Sequence, residues 1–459
     1  MPPQTHIDLI AVLPLENLSR DPDQEYFADG MTEALITDLG KVSALRVVSR
    51  TSMMHYKGTR KTLPEIAREL DVDGIVEGSV QRSGSRVRIT AQLIQAVDDR
   101  HLWAETYERD LHNVLALQGE VARAITNEIQ IKLTPQEHTR LSSARRVNPE
   151  AYEAYLKGRY YLVKWTDEGS KLAIEYFQQA INKDPKCAVA YASLAEVYVT
   201  NSPLPRKDSV ASAKAAATKA LELDDTLGEA HTPLAIIRYQ YDWDWTGAGE
   251  EFKRAIALNP NDTETHHQYS HYWMGMGRTE ESYAESKRSL ELDPLLPAIN
   301  LHLGFHYLFA RQYDQAIQQL QKTLQMDPNS PEALGWLGYA YEQKRMYPEA
   351  LAAFGKAIAI SGGISSYRAS LAHTYAVSGK RREAQKLLDE LSKEGYSPLS
   401  IAEVETALGH KDKAFEWLER AYRQRDSDLA EFFKMNPRFD SLRSDPRFQD
   451  LLRRMNFPP

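Results

Sequence analysis

The feature that most constrains the fold of this chain is a repeat of 34 residues in its C-terminal two thirds. Dipeptides that end helices recur along this part of the chain, the last four of them at 34-residue spacing. They are Asp184-Pro185, Asn259-Pro260, Asp293-Pro294, Asp327-Pro328 and the variant Ser361-Gly362. A fixed period of this length is typical of arrays in which each unit buries its apolar face against its neighbours. The sequence therefore predicts a solenoid.

Within each period, a small residue recurs at one helix position and a bulky residue usually follows four positions later. The small residues are Ala173, Ala213, Ala248, Ala316, Ala350, Ala384 and Ala414. An apolar stripe spaced i, i+4, i+7 is one face of an α-helix, and the 34-residue period is that of tetratricopeptide hairpins. We count eight units: 154–187, 188–227, 228–262, 263–296, 297–330, 331–364, 365–394 and 395–428. Ser282, Ser286 and Ser289 occupy packing positions of the fourth unit, for which we expect low local stability.

The first helices of such hairpins line a concave groove. The predicted groove residues are Tyr239, Gln240, His267, His271, Met274, Phe305, Phe309, Tyr339, Glu342, Gln343 and His373. This mixed aromatic, amide and imidazole surface suits an extended peptide or a partner helix. The alternative is that several of these side chains are packed between adjacent repeats. The last residues, with Leu451-Leu452 and Arg453-Arg454, are expected to form a capping helix that ends the array.

Residues before about 135 show short apolar runs that alternate with helical segments. The run from Ile7 to Leu13 is expected to be a buried strand. Further strands are predicted at 45–49, 74–80 and 86–94, and helices at 24–41, 63–70 and 115–133. Strands that alternate with helices indicate an α/β domain with a mixed sheet.

Several strings in this region resemble one bacterial family. They are Ala11-Val12-Leu13-Pro14, Tyr26-Phe27-Ala28-Asp29-Gly30-Met31-Thr32, Val48-Ser49-Arg50-Thr51-Ser52, Glu77-Gly78-Ser79-Val80 and Arg88-Ile89-Thr90-Ala91-Gln92-Leu93 with Trp103. The region resembles the TolB-amino-terminus-like domain of bacterial signalling proteins. In that family, the domain lies between an output module and tetratricopeptide repeats. The output module is a CadC-type winged-helix DNA-binding domain, a class III nucleotide cyclase or a serine/threonine protein kinase.

These patterns predict an α/β N-terminal domain with a mixed sheet, followed by an all-α tetratricopeptide-repeat superhelix and a C-terminal capping helix. The predicted domains are a TolB-N-like domain at 1–136, a linker at 137–149, the solenoid at 150–429 and the cap at 430–459. The resemblance implies a sensory or interaction region whose output module, with any membrane segment, lies upstream of this chain. Because no run of about 18 apolar residues and no signal peptide occurs, we expect a soluble chain, either periplasmic or cytoplasmic.

Composition and motifs favour binding over catalysis. The formal net charge of −8 argues against a nucleic-acid partner. The sequence has no glycine-rich phosphate loop and no Gly-x-Ser-x-Gly elbow, and the lone Cys187 at a repeat junction is expected to be a buried thiol. We therefore predict a non-enzymatic chain without a cofactor.

Two histidine pairs were considered as metal ligands. His267 and His271 are four residues apart on one helix, and His302 and His306 repeat this spacing one unit later. Such a pair can bind zinc. Gln268 stands where a zinc protease has glutamate, and the second pair is offset by one residue from the first within the repeat. We therefore expect groove-lining histidines without a metal, with His267 and His271 as the candidate ligands if one binds. Sensing of acidity by these groove histidines is a further alternative.

Asn17, Asp29 and Arg50 flank strand ends of the α/β domain, where ligands often bind, and they are candidates for a pocket there. The alternative role is loop and helix capping. The leading hypothesis is a non-catalytic sensory or protein-interaction region that binds a protein or peptide in the repeat groove. A small-molecule or hydrolytic site at the α/β domain or the domain interface, and self-assembly into a homo-oligomer, remain open.

Overall fold

The structure is a computed structural model that describes residues 7–19, 21–142, 146–362 and 365–458. Residues 1–6, 143–145 of the predicted linker and the unit boundary at 363–364 lie outside the described residues. The chain divides into two compact units. The first contains the residues up to Ile237 with Glu250–Thr265 and Glu291–Leu295, and the second contains Arg238–Gly249, His266–Leu290 and the residues from Leu296 onward. The domain boundaries expected from the sequence stay predictions.

The first unit contains a mixed sheet in the order β3-β1-β4-β5-β6. Its strands are β1 Leu9–Val12, β2 Glu16–Asn17, β3 Arg46–Val47, β4 Gly74–Ser83, β5 Arg86–Gln95 and β6 Arg100–Asp110. Strand β1 runs parallel to β3 and β4, whereas β4, β5 and β6 form an antiparallel meander. The apolar β1 is fully buried, as its sequence predicts. The sequence analysis did not identify β6.

Five helices complete the N-terminal part of this unit. They are α1 Glu25–Gly40, α2 Arg50–Met54, α3 Leu63–Leu70, α4 Val114–Glu128 and α5 Pro135–Leu141. The last begins at a capping box in which Thr134 and Glu137 satisfy each other's backbone N–H groups. Glu137 also accepts hydrogen bonds of 2.8 Å from the N–H and the hydroxyl of Ser43. The first part of the predicted linker is therefore helical.

Sixteen helices follow as eight successive pairs within the described residues. The pairs are α6 Pro149–Leu162 with α7 Asp167–Lys183, α8 Ala188–Thr200 with α9 Arg206–Leu223, α10 Gly228–Ile237 with α11 Trp245–Leu258, α12 Thr263–Met276 with α13 Thr279–Leu292, α14 Pro297–Phe309 with α15 Tyr313–Met326, α16 Pro331–Gln343 with α17 Tyr347–Ile360, α18 Ser365–Val377 with α19 Arg381–Glu394, and α20 Pro398–Ala407 with α21 Lys411–Gln424. The predicted fold class, a mixed-sheet domain followed by tetratricopeptide-type hairpins, is confirmed.

The interlocking of small and large residues explains why each pair forms. A Cβ atom added to Gly158 of α6 would lie 2.4 Å from the ring of Phe177 on α7, which is fully buried. Glycine therefore permits a helix approach that no larger residue allows. Ser282, Ser286 and Ser289 of the fourth repeat unit are also buried, and they have polar partners there. The hydroxyl of Ser282 donates to the carbonyl of Ser270 at 2.9 Å, and the hydroxyl of Ser286 lies 2.6 Å from Nδ1 of His306.

After the last pair, a C-terminal segment, defined here as residues 427–458, contains α22 Ser427–Phe432, a 3-10 turn at Pro437–Leu442 and α23 Pro446–Arg454. Asn436 and Asp445 cap the turn and α23 through their side chains. The rings of Phe433, Phe439 and Phe448 form its buried core. Within the described parts of the chain, no helix is both long and apolar enough to cross a membrane.

Candidate functional site

The residues predicted to line the groove all lie in the second of the two compact units, and the C-terminal segment is packed against them. Tyr239, His271, Met274, Phe305, Phe309, Tyr339, Glu342 and His373 are all buried. Gln240, His267 and Gln343 are half-buried. The chain's own residues 427–458 pack against several of these side chains, and the groove itself stays a prediction. Its role in binding a partner stays a prediction.

Arg438 of the C-terminal segment lies at the centre of this contact. Its guanidinium Nε and Nη2 donate to Glu342 at 3.0 and 3.2 Å, and Nη1 donates to Glu403 at 2.8 Å. The guanidinium carbon lies 3.8 Å from the ring centroid of Tyr339. A planar guanidinium matches both a carboxylate pair and an aromatic face, which an ammonium group does not. We name Glu342, Glu403 and Tyr339 the arginine cradle.

The charges of this cluster stabilise one another. Burial alone would raise the pKa of Glu342, but Arg438 and His373 hold that pKa at about 2. Burial opposes the charge of Arg438, whereas Glu342 and Glu403 raise its pKa further above the ordinary value. Both side chains are almost fully buried, with exposures of 3% for Arg438 and 1% for Glu342. Removal of either charge would leave the other buried without its counter-ion, which is costly.

Aromatic packing holds the first part of the segment. The ring of Phe432 lies 5.2 Å from Phe309, 5.8 Å from Trp336 and 6.1 Å from Phe305, measured between centroids. Gly275 on α12 permits the close approach of α22, since a Cβ atom there would lie 2.9 Å from the carbonyl oxygen of Ala430.

The end of the segment contacts α11 and the residues before it. Trp245 Nε1 donates to the carbonyl of Met455 at 2.9 Å, and its ring lies 4.3 Å from that of Phe457. Asn456 contributes a longer hydrogen bond to the carbonyl of Trp243 at 3.5 Å. The segment is therefore fixed by polar and aromatic contacts along its length, and not only by the arginine cradle.

Three histidine rings lie together in the second compact unit. Nε2 of His271 lies 3.0 Å from Nε2 of His267 and 3.0 Å from Nδ1 of His302. Nε2 of His267 also contacts Nδ1 of His302. His302 comes one residue later within its repeat unit than His267 does, yet its ring still reaches the cluster. It does so through Nδ1, whereas His267 and His271 use Nε2. On its other side, Nδ1 of His271 lies 2.5 Å from a carboxylate oxygen of Glu431.

His306 is next to this cluster but has different neighbours. Its ring centroid lies 5.0 Å from that of His271, while its Nδ1 contacts Ser286. Burial, with a contribution from the neighbouring imidazoles, lowers the pKa of His302 and of His306 well below the usual histidine value. Both rings are therefore neutral near neutral pH.

The candidate pocket residues of the α/β domain each have a structural partner. Asn17 Nδ2 donates to the backbone carbonyl of Asp21 at 3.0 Å. Asp29 lies 2.5 Å from Nζ of Lys57, and Nε of Arg50 lies 3.4 Å from Glu33. Asn17 and Asp29 belong to one polar network, because Asn17 Nδ2 also donates to Glu25 at 3.3 Å and Lys57 Nζ contacts both Glu25 and Asp29. The role of Asn17, Asp29 and Arg50 as a pocket stays a prediction.

Two junction residues of the repeats have roles that the sequence analysis missed. Asn261 Nδ2 donates to the carbonyls of Gly40 and Leu45 at 2.9 and 2.8 Å, and Oδ1 accepts from the N–H of Val47 at 3.3 Å. Asp293, expected only to end a helix, accepts a 2.5 Å hydrogen bond from the hydroxyl of Ser52. Burial raises the pKa of Asp293 despite this hydrogen bond.

Cys187 is free and half-buried, and burial raises the pKa of its thiol to about 11. The thiolate is the reactive form, so this environment suppresses nucleophilic chemistry at neutral pH.

Comparison with known proteins identifies the repeats. The tetratricopeptide-repeat family model matches residues 303–363, from the second half of α14 to the end of α17. The chain therefore contains tetratricopeptide repeats, which are units of protein–protein interaction. The TolB-like resemblance of the N-terminal region stays a prediction.

One curated relative is "Putative adenylate cyclase 3" of Rhizobium meliloti (strain 1021), which is 40% identical over 233 residues. The match covers 50% of this chain and 39% of the relative, so it spans about two fifths of that protein's length.

Solved structures with related helical arrays include Pseudomonas aeruginosa PilF, with 22% identity and a TM-score of 0.37 over 46% of this chain and 92% of PilF. The pilus biogenesis factor PilW has 18% identity and a TM-score of 0.33, over 54% of this chain and 94% of its own. YrrB, described as a repeat protein with an unusual peptide-binding site, has 20% identity and a TM-score of 0.31, over 41% and 93%.

Proposed function

We propose that this chain is a protein-interaction region of a bacterial signalling protein, and that its repeat groove recognises an arginine-bearing segment. In this proposal, the C-terminal segment is the internal occupant of the groove, and a segment of similar chemistry from a protein partner exchanges with it. The observation that carries the proposal is the set of contacts between Arg438 and the arginine cradle.

The chemistry of the cradle supports recognition of a cation. Glu342 and Glu403 are carboxylates on two different first helices, and Tyr339 supplies a ring face beside them. Release of Arg438 would leave two acidic groups in a site that excludes water, which is unfavourable until another cation binds. A partner arginine satisfies the same geometry, whereas an apolar segment does not. The arginine cradle therefore favours arginine-bearing ligands over apolar ones as replacements for the C-terminal segment.

The neighbouring contacts specify the rest of the ligand. Phe432 fills an aromatic site formed by Phe309 and Trp336, six residues before Arg438. Asn436 lies between Phe432 and Arg438 in the sequence and binds the arginine cradle directly. Its Oδ1 accepts from the hydroxyl of Tyr339 at 2.5 Å, and its Nδ2 donates to Glu403 at 2.6 Å. The proposed ligand is thus a segment with an aromatic residue, an amide and an arginine at this spacing.

The signalling context is part of the same proposal. A relative named as an adenylate cyclase shares 40% identity over half of this chain, and the TolB-like resemblance implies a sensory region attached to an output module. We therefore infer that the repeats and the N-terminal domain receive a signal, and that the response is generated by another domain or protein. We do not propose a hydrolytic or small-molecule site, because Asn17, Asp29 and Arg50 each have a different structural partner.

A peptide-exchange experiment tests the proposal. The probe is a fluorescent peptide of residues 431–444, added to the full-length wild type and to Arg438→Ala and Phe432→Ala variants whose helical content is checked by circular dichroism. Each variant weakens a different contact of the internal occupant, so both should bind the peptide at least about tenfold more tightly than the wild type does.

A peptide with alanine in place of Arg438 is the matched control, and it should bind the Phe432→Ala variant at least about tenfold more weakly than the native peptide does. The proposal is wrong if both folded variants bind the native peptide no better than a scrambled peptide. In that case, the C-terminal segment would be a permanent structural cap.

A further inference from the structure

The histidine cluster has the arrangement of a metal site, and it depends on residues other than the arginine cradle. Three ring nitrogens, one each from His267, His271 and His302, lie within 4.8 Å of one another. Two of them are four residues apart on α12, and the third comes from α14. His267 and His302 are half-buried, whereas His271 is buried. Imidazole nitrogens suit Zn²⁺ and the other late first-row divalent ions.

Hydrogen bonding alone cannot satisfy this arrangement. Each nitrogen of a neutral imidazole is either an N–H donor or a lone-pair acceptor. Among three nitrogens in mutual contact, at least two must be of the same kind, so at least one pair is repulsive whichever tautomers are chosen. A cation that accepts all three lone pairs removes this repulsion.

A carboxylate lies behind the cluster, next to the ring that contacts both other histidines. A carboxylate oxygen of Glu431 lies 2.5 Å from Nδ1 of His271, outside hydrogen-bond geometry, while Nε2 of the same ring faces His267 and His302. Rotation of the Glu431 carboxyl into line with Nδ1 would place the ring proton there and leave the lone pair of Nε2 for a metal. A carboxylate that holds a ligating histidine in this way is common in zinc sites, where it fixes the orientation of the ring.

We propose that His267, His271 and His302 bind one divalent transition-metal ion of the Zn²⁺ class, with Glu431 orienting His271. A tetrahedral zinc ion with Zn–N bonds near 2.0–2.1 Å needs ligand nitrogens about 3.3–3.4 Å apart, so the triangle must open when the ion binds, most of all between His267 and His302. Three protein ligands leave a fourth position for water or for a donor group of a ligand.

Metal titration of the full-length chain tests this proposal. Protein without a histidine tag is stripped with a chelator, and Co²⁺ is added as the probe while visible absorption is recorded. We expect one Co²⁺ per chain, with the absorption of a tetrahedral or five-coordinate ion, and its displacement by Zn²⁺. Zn²⁺ should also raise the melting temperature of the wild type, because it binds the folded state.

Substitutions locate the ion. His302→Gln and His271→Gln lie on different helices, so loss of the Co²⁺ signal in either folded variant identifies the site. Glu431→Gln, which removes only the orienting carboxylate, should weaken Zn²⁺ binding about 10- to 100-fold. His101→Gln is the control for histidine content, because His101 is exposed on β6, and it should bind like the wild type.

The proposal is overturned if the wild type shows no saturable Co²⁺ or Zn²⁺ binding up to about 1 mM, a range that includes weak divalent-ion sites. It is equally overturned if folded His271→Gln and His302→Gln variants retain the wild-type stoichiometry and affinity, since the ion would then be bound elsewhere. Either result would leave the peptide-exchange proposal intact, because that proposal depends on Arg438 and its cradle.

Discussion

Arg438 and Glu342 form a buried ion pair, in which the guanidinium Nε lies 3.0 Å from one carboxylate oxygen and Nη2 lies 3.2 Å from the other. The two residues are 96 positions apart, so the pair fixes the C-terminal segment to the sixth repeat pair. A bidentate pair with this little exposure specifies one arrangement of the segment, because any shift would leave both charges buried and unsatisfied.

We expect Arg438→Met to destabilise the protein by about 3–5 kcal/mol, because it leaves Glu342 charged and buried without its counter-ion. The double variant Arg438→Met/Glu342→Gln should recover part of the lost stability, because it also removes the unpaired negative charge of Glu342. Urea unfolding followed by circular dichroism measures both effects. Equal stability of the single and double variants would show that the ion pair is not coupled.

Acid should destabilise this contact. The pKa of Glu342 is about 2 in the folded chain, against an ordinary value of 4.5. A carboxyl whose pKa is depressed by folding contributes stability above its unfolded pKa, and this stability is lost as the pH falls towards the folded value. The difference corresponds to about 3 kcal/mol, lost between roughly pH 4.5 and pH 2.

The measurement for this prediction is the melting temperature as a function of pH for the wild type and for Glu342→Gln. The wild type should lose more stability than the variant in this window, whereas above about pH 6 the two curves should run parallel. Identical slopes at acidic pH would mean that Glu342 has an ordinary pKa in the folded chain.

The repeats were predictable because their evidence is local and periodic. A small residue, a large residue four positions later and a helix-ending dipeptide specify each hairpin without reference to the rest of the chain. The same reasoning located β1 and α3 closely. It missed β6, whose sequence from Arg100 to Asp110 is rich in charged residues on an exposed edge, which weakens the alternation that marks a strand.

The site could be predicted only in part. The positions of groove-facing residues follow from helix geometry, so Tyr339 and Glu342 were identified. Nothing in the local pattern indicates where the C-terminal segment docks, and a charged residue such as Arg438 is expected on the surface. The sequence indicates both histidine pairs, but it does not predict that His302 joins His267 and His271. Position within the repeat does not reveal which ring nitrogen of His302 points towards α12.

The contact between glycine and phenylalanine in the first repeat pair predicts a steric effect. Gly158→Ala would place a methyl group against the ring of Phe177, so we expect a loss of about 1–3 kcal/mol. Gly355→Ala on α17 is the matched control, because a Cβ atom there has no neighbour within 4 Å. Relief of glycine's entropy cost should stabilise that variant by about 0.5–1 kcal/mol. Denaturant midpoints with equal m-values distinguish these opposite signs.

The last prediction concerns Asn261, which satisfies two carbonyl groups and one N–H group around β3. In Asn261→Ala, the carbonyls of Gly40 and Leu45 lose their donor in a buried site, so we expect a loss of about 2–4 kcal/mol. Asn329 occupies the same repeat position two units later, where its side chain is exposed, so Asn329→Ala should change stability by less than about 0.5 kcal/mol. Faster hydrogen exchange at Val47 in Asn261→Ala alone would locate the effect at β3, whereas equal losses in the two variants would assign it to the repeat turn itself.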